Sequence, residues 1–353
     1  MEHLMDQRQF EAWRSMCERA GWKDSAAPRG SGDPLPPCYA HSGETPWGEK
    51  TSKPLRQWRD YQLKLRALRE RAQQLNADVY LLQEVAGADA VRAVIDGQKY
   101  DVFVAGSGGL ALAMAVRKGV QLIERPSAYD ALAKTVTLDG AQRTLRPGQQ
   151  SAFNVRGHRV DVLNLHLKSG CRNDVIDQPD VQRRKEEGAR RKREDCAALR
   201  LQVPELEAWI EQRQKSGTAF MVAGDFNRSL WAERADRKPA RCDTSAAASV
   251  LGQACLANIL PELDDTPTSR LLLAETRVKA FANGAMCAVR QRKSDGESLC
   301  HCGIDNFLVS ESLLQKLALQ MPALRASGEH YGMQHYGVDK VRPSDHCPLQ
   351  INL

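Results

Sequence analysis

One short stretch limits what this chain can fold into more than any other. It is the apolar run Ala219-Phe220-Met221-Val222-Ala223, broken at Gly224 and followed by Asp225-Phe226-Asn227-Arg228. An unbroken apolar run of this length that ends in turn-prone residues reads as a buried strand. Gly224 can take backbone angles that side chains forbid, so the strand is expected to stop there. Asp225 and Asn227 emerge two residues apart, and on an extended chain residues i and i+2 point the same way. The spacing predicts a carboxylate and an amide in one pocket at the carboxyl end of a strand. That pair suits phosphate chemistry: the carboxylate orients a water or binds a hard cation, and the amide donates to an anionic oxygen. The plainer reading is a strand-to-turn exit with Asp and Asn as ordinary turn residues.

Other segments repeat the theme of a strand ending in polar residues. Asp78-Val79-Tyr80-Leu81-Leu82-Gln83-Glu84-Val85 reads as a buried strand whose end carries Glu84. Arg159 to Lys168 alternates, with Val160, Val162, Asn164 and His166 on one face. Gly303-Ile304-Asp305-Asn306-Phe307-Leu308-Val309 is a further strand with Asp305 near its start, and Ser344-Asp345-His346-Cys347-Pro348 leads into a last short one. Between these lie helical stripes. Phe10, Trp13, Cys17 and Ala20 mark a helix over 6–20, and Leu55, Trp58, Leu65, Leu68, Ala72 and Leu75 mark a longer one. Leu199, Val203, Leu206 and Ile210 mark a crossover helix that Pro204 should begin or kink. Strands are expected over 100–105 and 110–116 as a pair, and near 121–124, 134–138 and 150–155. Gly140 and Pro147-Gly148 serve as turns. Ser312 is the expected cap of a helix over 313–319. Residues 24–54, rich in Pro, Gly and Ser, read as a long loop pinned by Cys38 and Trp47. Strands separated by helices indicate layered α/β packing.

The hydrophobic content of 42% supports a real core, and no apolar stretch is long enough to span a membrane. The net charge of +6 suits a polyanionic partner. Residues 170–195 are densely charged and include Arg183-Arg184-Lys185 and Arg190-Arg191-Lys192-Arg193; they read either as a solvated insertion or as a contact for a phosphate backbone. There are 10 cysteines, many for a reducing compartment, yet residues 1–20 carry no apolar signal core. Cys171 and Cys196 bracket the charged insertion, so a disulfide there would staple it to the following helix. Cys300-His301-Cys302, with Cys287 nearby, lacks the usual zinc spacing. The loop from Glu329 to Tyr336, aromatic and His-rich, reads either as the edge of a site or as plain surface.

In this order, Gln83-Glu84, Asn164-Leu165-His166, Gly224-Asp225-Phe226-Asn227, Ile304-Asp305 and Ser344-Asp345-His346 resemble the endonuclease/exonuclease/phosphatase superfamily. The resemblance runs from about residue 76 to the C-terminus. It implies a four-layer α/β/β/α sandwich, two mostly antiparallel sheets packed face to face with helices outside, as one domain over residues 1–353. It also implies a metal-dependent phosphoric ester hydrolase using Mg²⁺, with Mn²⁺ as a substitute. Glu84 would be the direct ligand, and Asp345 and Asp225 would assist at the metal or its water. Asp225 would orient or deprotonate the attacking water, and Asn227 would hold the phosphate. His346 would contact the scissile phosphate, oriented by Asp305, and His166 would assist the phosphate or leaving group. A nuclease acting as a monomer on DNA or RNA is the leading expectation. A phosphatase or sphingomyelinase-type phospholipase is the alternative, and a catalytically weak binding protein the third.

The chain departs from the family pattern at its start. The family's first strand, ending in an Asn before the Glu, has no counterpart upstream of Glu84, and Met1 to Asp6 resembles the segment just after that Asn. The expectation is that a first core strand lies upstream of Met1. A signal peptide in the same stretch would reconcile the cysteines with a periplasmic or secreted location; without one the protein would be cytoplasmic.

Overall fold

Strand β9 (Ala219–Asp225) is the apolar run read above, and it ends where expected, at the Gly224-Asp225 step. The structure, a computed structural model, describes residues 5–21, 38, 57–107, 111–172, 174–182, 185–234, 241–242, 255–265, 270–278, 304–319, 325–328 and 349–353. The chain divides into two units. One comprises Met1–Gly119, Arg277–Cys302 and Ser327–Gln350; the other comprises Val120–Thr276, Gly303–Ala326 and Ile351–Leu353.

In the first unit, helix α1 (Gln7–Arg19) opens on a capping box. The Asp6 side chain accepts from the Gln9 N–H, and the Gln9 side chain accepts from the Asp6 N–H. Its apolar stripe, Phe10, Trp13 and Cys17, packs with Tyr61 of α2 (Trp58–Leu75), and a Cys17–Cys38 disulfide closes this cluster. Strand β1 (Val79–Val85) is followed by the short α3 (Ala88–Arg92), β2 (Tyr100–Ala105) and β3 (Ala111–Arg117). These strands form an antiparallel sheet in the order β1-β3-β2, covered by Leu65, Leu68, Ala72 and Leu75 of α2.

The second unit holds β4 (Leu122–Tyr129), the hairpin β5 (Thr135–Leu138) and β6 (Ala141–Thr144), β7 (Gly148–Val155), β8 (His158–His166), α4 (Glu186–Lys215), β9, α5 (Leu260–Leu263) and β10 (Leu271–Leu273). After β11 (Glu275–Val278), β12 (Asp305–Ser310) and α6 (Glu311–Lys316) complete it. Its main sheet has six strands in the order β10-β12-β9-β8-β7-β4. Every pairing assigned a direction is antiparallel except β8–β9, which are parallel because α4 carries the chain back between them. Strands β13 (Arg325–Gly328) and β14 (Leu349–Gln350) pair antiparallel in a separate three-stranded sheet with β11. The mixed α/β class with mostly antiparallel sheets is the one expected.

Helix α4 differs from the sequence reading. It begins at Glu186, inside the charged insertion, and runs through Pro204 without ending. A proline inside a helix costs about 3 kcal/mol, but each large apolar side chain buried contributes about 1.5–3 kcal/mol. Leu199, Val203, Leu206, Trp209 and Ile210 are all buried in the core beneath the sheet, so packing outweighs the proline. The basic run at its start finds partners within the chain, and only Lys192 among its described residues is buried. Arg190 and Arg191 pair with Asp139, in the β5–β6 turn. Lys192 is buried, pairs with Asp174 and donates to the carbonyls of Gly170 and Cys171. The Cys171–Cys196 disulfide forms as anticipated, and a third bridge joins Cys242 to Cys255. The cap of α6 is Ser310, whose hydroxyl accepts from the Leu313 N–H, and not Ser312. Strand β6 was not read from the sequence because its Ala-Gln-Arg-Thr residues are all exposed.

Gly224 has φ +131°, and a Cβ there would lie 2.1 Å from the carbonyl oxygen of Leu165 on the neighbouring strand. Gly224→Ala must therefore push β9 off β8. Thermal melts should show a loss of at least about 3 kcal/mol, combining overpacking with backbone strain; a variant melting with the wild type would contradict this contact. On α4, Glu207 and Glu211 stand one turn apart beside Asp265. Burial raises the Glu207 carboxyl above its usual range, and the charges of Glu262, Asp265 and Glu211 add to the rise. A raised carboxylate pKa gives stability that is full below the unfolded value and is lost as pH rises through the folded one. Glu207→Gln should thus stabilise the fold by about 0.5 kcal/mol at pH 7, with the gain vanishing below about pH 4. Melting temperatures at the two pH values check the sign.

Candidate active site

The site grows from the carboxyl end of the parallel pair β8–β9. Their register sets His166 beside Asp225, and the β9–β12 register sets Asp225 beside Asp305. The three expected residues therefore occupy one rung across three neighbouring strands. Leu163, Leu165, Phe220, Val222 and Leu308 belong to the core that packs on α4. Side chains alternate along a strand, so His166, Asp225 and Asp305 face away from α4. His166 and Asp225 are buried, with His166 Nε2 3.5 Å from Asp225 Oδ2.

Asn227 joins this rung, but not by the extended spacing predicted. The strand ends at Asp225, and Asn227 takes a left-handed conformation, φ +52°. It returns to Asp225 through an Asx turn: the Asn227 N–H donates to Asp225 Oδ1 at 2.6 Å. Its side-chain Nδ2 donates to the Leu167 carbonyl at 2.9 Å. The turn reading of Asp225 and Asn227 holds, and the same turn brings the Asn227 backbone N–H onto the Asp225 carboxylate. Two backbone bonds continue the ladder past the strand ends, from the Leu167 N–H to the Asp225 carbonyl and from the Phe226 N–H to the Ile304 carbonyl, each 2.9 Å.

Basic side chains to which the sequence reading gave no role brace the same corner. Arg146 donates from Nε to the His166 carbonyl at 3.1 Å and from Nη2 to the Leu167 carbonyl at 3.0 Å. Lys168 pairs with Asp195 of α4 at 2.5 Å, and its N–H donates to Gln202 at 2.9 Å. Arg228, next to Asn227, is fully buried against Glu233. No periodic pattern marks these residues; a buried arginine directly after the Asp-Phe-Asn run has no signature in sequence alone.

Glu84 lies in the other unit, on β1. The β1–β3 pairing runs Leu82 to Ala113 and then Val85 to Ala111, so a β-bulge sits at Gln83-Glu84. Glu84 itself has φ +53°, a conformation that costs a glutamate about 1–2 kcal/mol. Bulges re-aim side chains and gather beside active sites, and a strained non-glycine residue points the same way. Asp345 and His346 lie outside the described residues, as do the Cys287, Cys300, His301 and Cys302 group, the loop from Glu329 to Tyr336 and, except for Cys38, residues 24–54.

The donors on hand are carboxylates with an imidazole, which fit a hard divalent cation such as Mg²⁺ or Mn²⁺. Among the described residues, the three carboxylates that do cluster within 4.8 Å are Glu207, Glu211 and Asp265, and none of them is an expected ligand.

The profile of the Endonuclease/Exonuclease/phosphatase family matches residues 57–346. No curated protein matches the chain by sequence. Solved structures that are similar include a truncated TDP2 from Caenorhabditis elegans (16% identity, 83% of this chain, 90% of that one, TM-score 0.41). An AP endonuclease, LMAP, from Leishmania major is similar at 16% identity over 82% of both chains, with TM-score 0.42. A mannosyl-6-phosphatase from Bacteroides thetaiotaomicron is similar at 13% identity over 82% of this chain and 90% of that one, with TM-score 0.41. At these values the three likenesses say nothing about substrate, and the assignment rests on the family profile spanning most of the chain together with the strand-end motifs: the chain belongs to the Endonuclease/Exonuclease/phosphatase family.

Proposed function

We propose that this phosphoric ester hydrolase cleaves phosphodiesters by attack of an activated water, and that nucleic acid is its substrate. The observation that carries the reading is the single rung His166–Asp225–Asp305, with the Asn227 amide folded back onto it. Glu84, Asp225 and Asp345 are the residues that would hold Mg²⁺, or Mn²⁺ in its place. Such an ion supplies charge neutralisation at the phosphate and lowers the pKa of a bound water. The chain's own groups do the rest. Asp225 orients the water and takes its proton on the carboxylate. Asn227 spends one amide hydrogen on Leu167 and directs the other at a non-bridging phosphate oxygen. His166 donates toward the phosphate or the leaving oxygen. His346 contacts the scissile phosphate, with Asp305 accepting from its second ring nitrogen and fixing the tautomer.

One observation favours a second reading, a phosphatase or sphingomyelinase-type phospholipase. Part of the basic run that suggested a polyanion is paired within the chain: Lys192 is buried on Asp174, and Arg190 and Arg191, both exposed, share Asp139. The three disulfides favour an oxidising location, periplasmic or secreted, in either case. No helix among the described residues is long and apolar enough to cross a membrane. We take the active form to be a monomer.

Plasmid nicking, bis(p-nitrophenyl) phosphate hydrolysis and a panel of inositol phosphates and sphingomyelin, each with Mg²⁺ or chelator, separate the readings. Chelator-sensitive nicking supports the nuclease; turnover confined to lipid or inositol substrates contradicts it. Asp225→Asn and Asn227→Ala should each lower kcat by about 10²–10³-fold without changing the melting temperature by more than a few degrees. Glu84→Gly removes a ligand and relieves the backbone strain together. It should melt at or above the wild type while losing metal-dependent turnover, and a variant that loses stability but keeps activity would refute the role given to Glu84.

A further inference from the structure

A buried ion pair that the mechanism above does not use lies directly behind Asn227. The Arg228 guanidinium is fully enclosed and meets the Glu233 carboxylate through Nε. Nη1 donates to the Asp174 carbonyl at 2.8 Å, and Nη2 donates to the Ala257 carbonyl at 3.3 Å and to Asn258 Oδ1 at 3.4 Å. The other Glu233 oxygen accepts from the N–H groups of Ile259 and Leu260, each at 2.8 Å. One guanidinium and one carboxylate thus tie together three loops: that after β8, that after β9, and the stretch before α5.

We propose that Arg228 is a positioning residue that acts through Asn227. Asn tolerates the left-handed region, but the direction in which the chain leaves it must be held by its surroundings. Asn227 has its own two hydrogen bonds, to Asp225 and Leu167, but the chain must then leave in a fixed direction. Arg228 supplies that direction, because a planar fork held at several points fixes the peptide joining it to Asn227. With the fork gone, Asn227 relaxes toward extended backbone, its N–H leaves Asp225, and the amide no longer faces the phosphate. The proposal rests on the reading of Asn227 as the phosphate-holding amide, and it makes the orientation of that amide depend on a side chain that touches no substrate.

The test uses Arg228→Met/Glu233→Gln. It removes both charges together, and the Gln carbonyl oxygen still accepts from Ile259 and Leu260. Arg228→Lys keeps the charge but not the fork, and it carries the same comparison if the double variant does not fold. Two readouts are taken well below the melting temperature. With bis(p-nitrophenyl) phosphate and Mg²⁺, kcat should fall about 10- to 100-fold. Hydrogen exchange at the Asn227 amide should quicken by at least about tenfold while the Val222 amide within β9 stays protected. A folded variant that keeps kcat or Asn227 protection within about twofold of wild type overturns the proposal. If the wild type hydrolyses nothing under Mg²⁺, it is the functional reading that fails; the exchange result alone then decides whether Arg228 orients Asn227.

Discussion

The parallel contact between β8 and β9 is the constraint from which the rest of the second unit follows. It places Gly224 so close to Leu165 that no other residue fits. It sets His166 and Asp225 side by side, and the Leu167 N–H extends it by one more bond to the Asp225 carbonyl. A parallel pair needs a long return path, and α4 provides it while roofing the sheet with Leu199, Val203, Leu206 and Trp209. The site is therefore a by-product of strand registry: the polar row lies on the face away from α4, where alternation leaves it.

Behind the ladder, charge pairs and a disulfide hold the loops that leave it. Lys192 grips the carbonyls of Gly170 and Cys171, Lys168 meets Asp195, and the Cys171–Cys196 bridge closes the same corner. Breaking one partner of a buried pair costs about 3–5 kcal/mol, because it strands the other charge. Arg228–Glu233, buried on both sides, therefore makes this corner stiff and intolerant of single substitutions. Stiffness of this kind suits the phosphate-holding role proposed for Asn227.

Much of this was legible in the sequence, and the failures have physical causes. The strand over Ala219–Asp225, the pairing of Tyr100–Ala105 with the next strand and the Cys171–Cys196 bridge could be read because apolar runs, turn glycines and bracketing cysteines are local signals. Pro204 does not begin the helix, since propensity is local and the apolar face of α4 is not. Ser310 and Ser312 are equally good caps on paper; only the end of β12 selects Ser310. The period-two argument for Asp225 and Asn227 reached the right pairing by the wrong geometry, because it assumed extended backbone where the chain turns. The partners of the basic run, Asp139 and Asp174, lie far from it in sequence, so its ion pairs could not be read from residue order. The strain at Glu84 is a backbone property that no residue type announces.

On the function proposed, the strand-end carboxylates serve the metal, and the acidic cluster of Glu207, Glu211 and Asp265 does not. Diffraction at the manganese absorption edge, from crystals grown with Mn²⁺ and a phosphorothioate diester, tests it most directly. An anomalous peak at the Asp225 carboxylate, with a phosphoryl oxygen at the Asn227 amide, is the expected result. Manganese bound at Glu207, Glu211 and Asp265 alone, with the diester elsewhere, would contradict it.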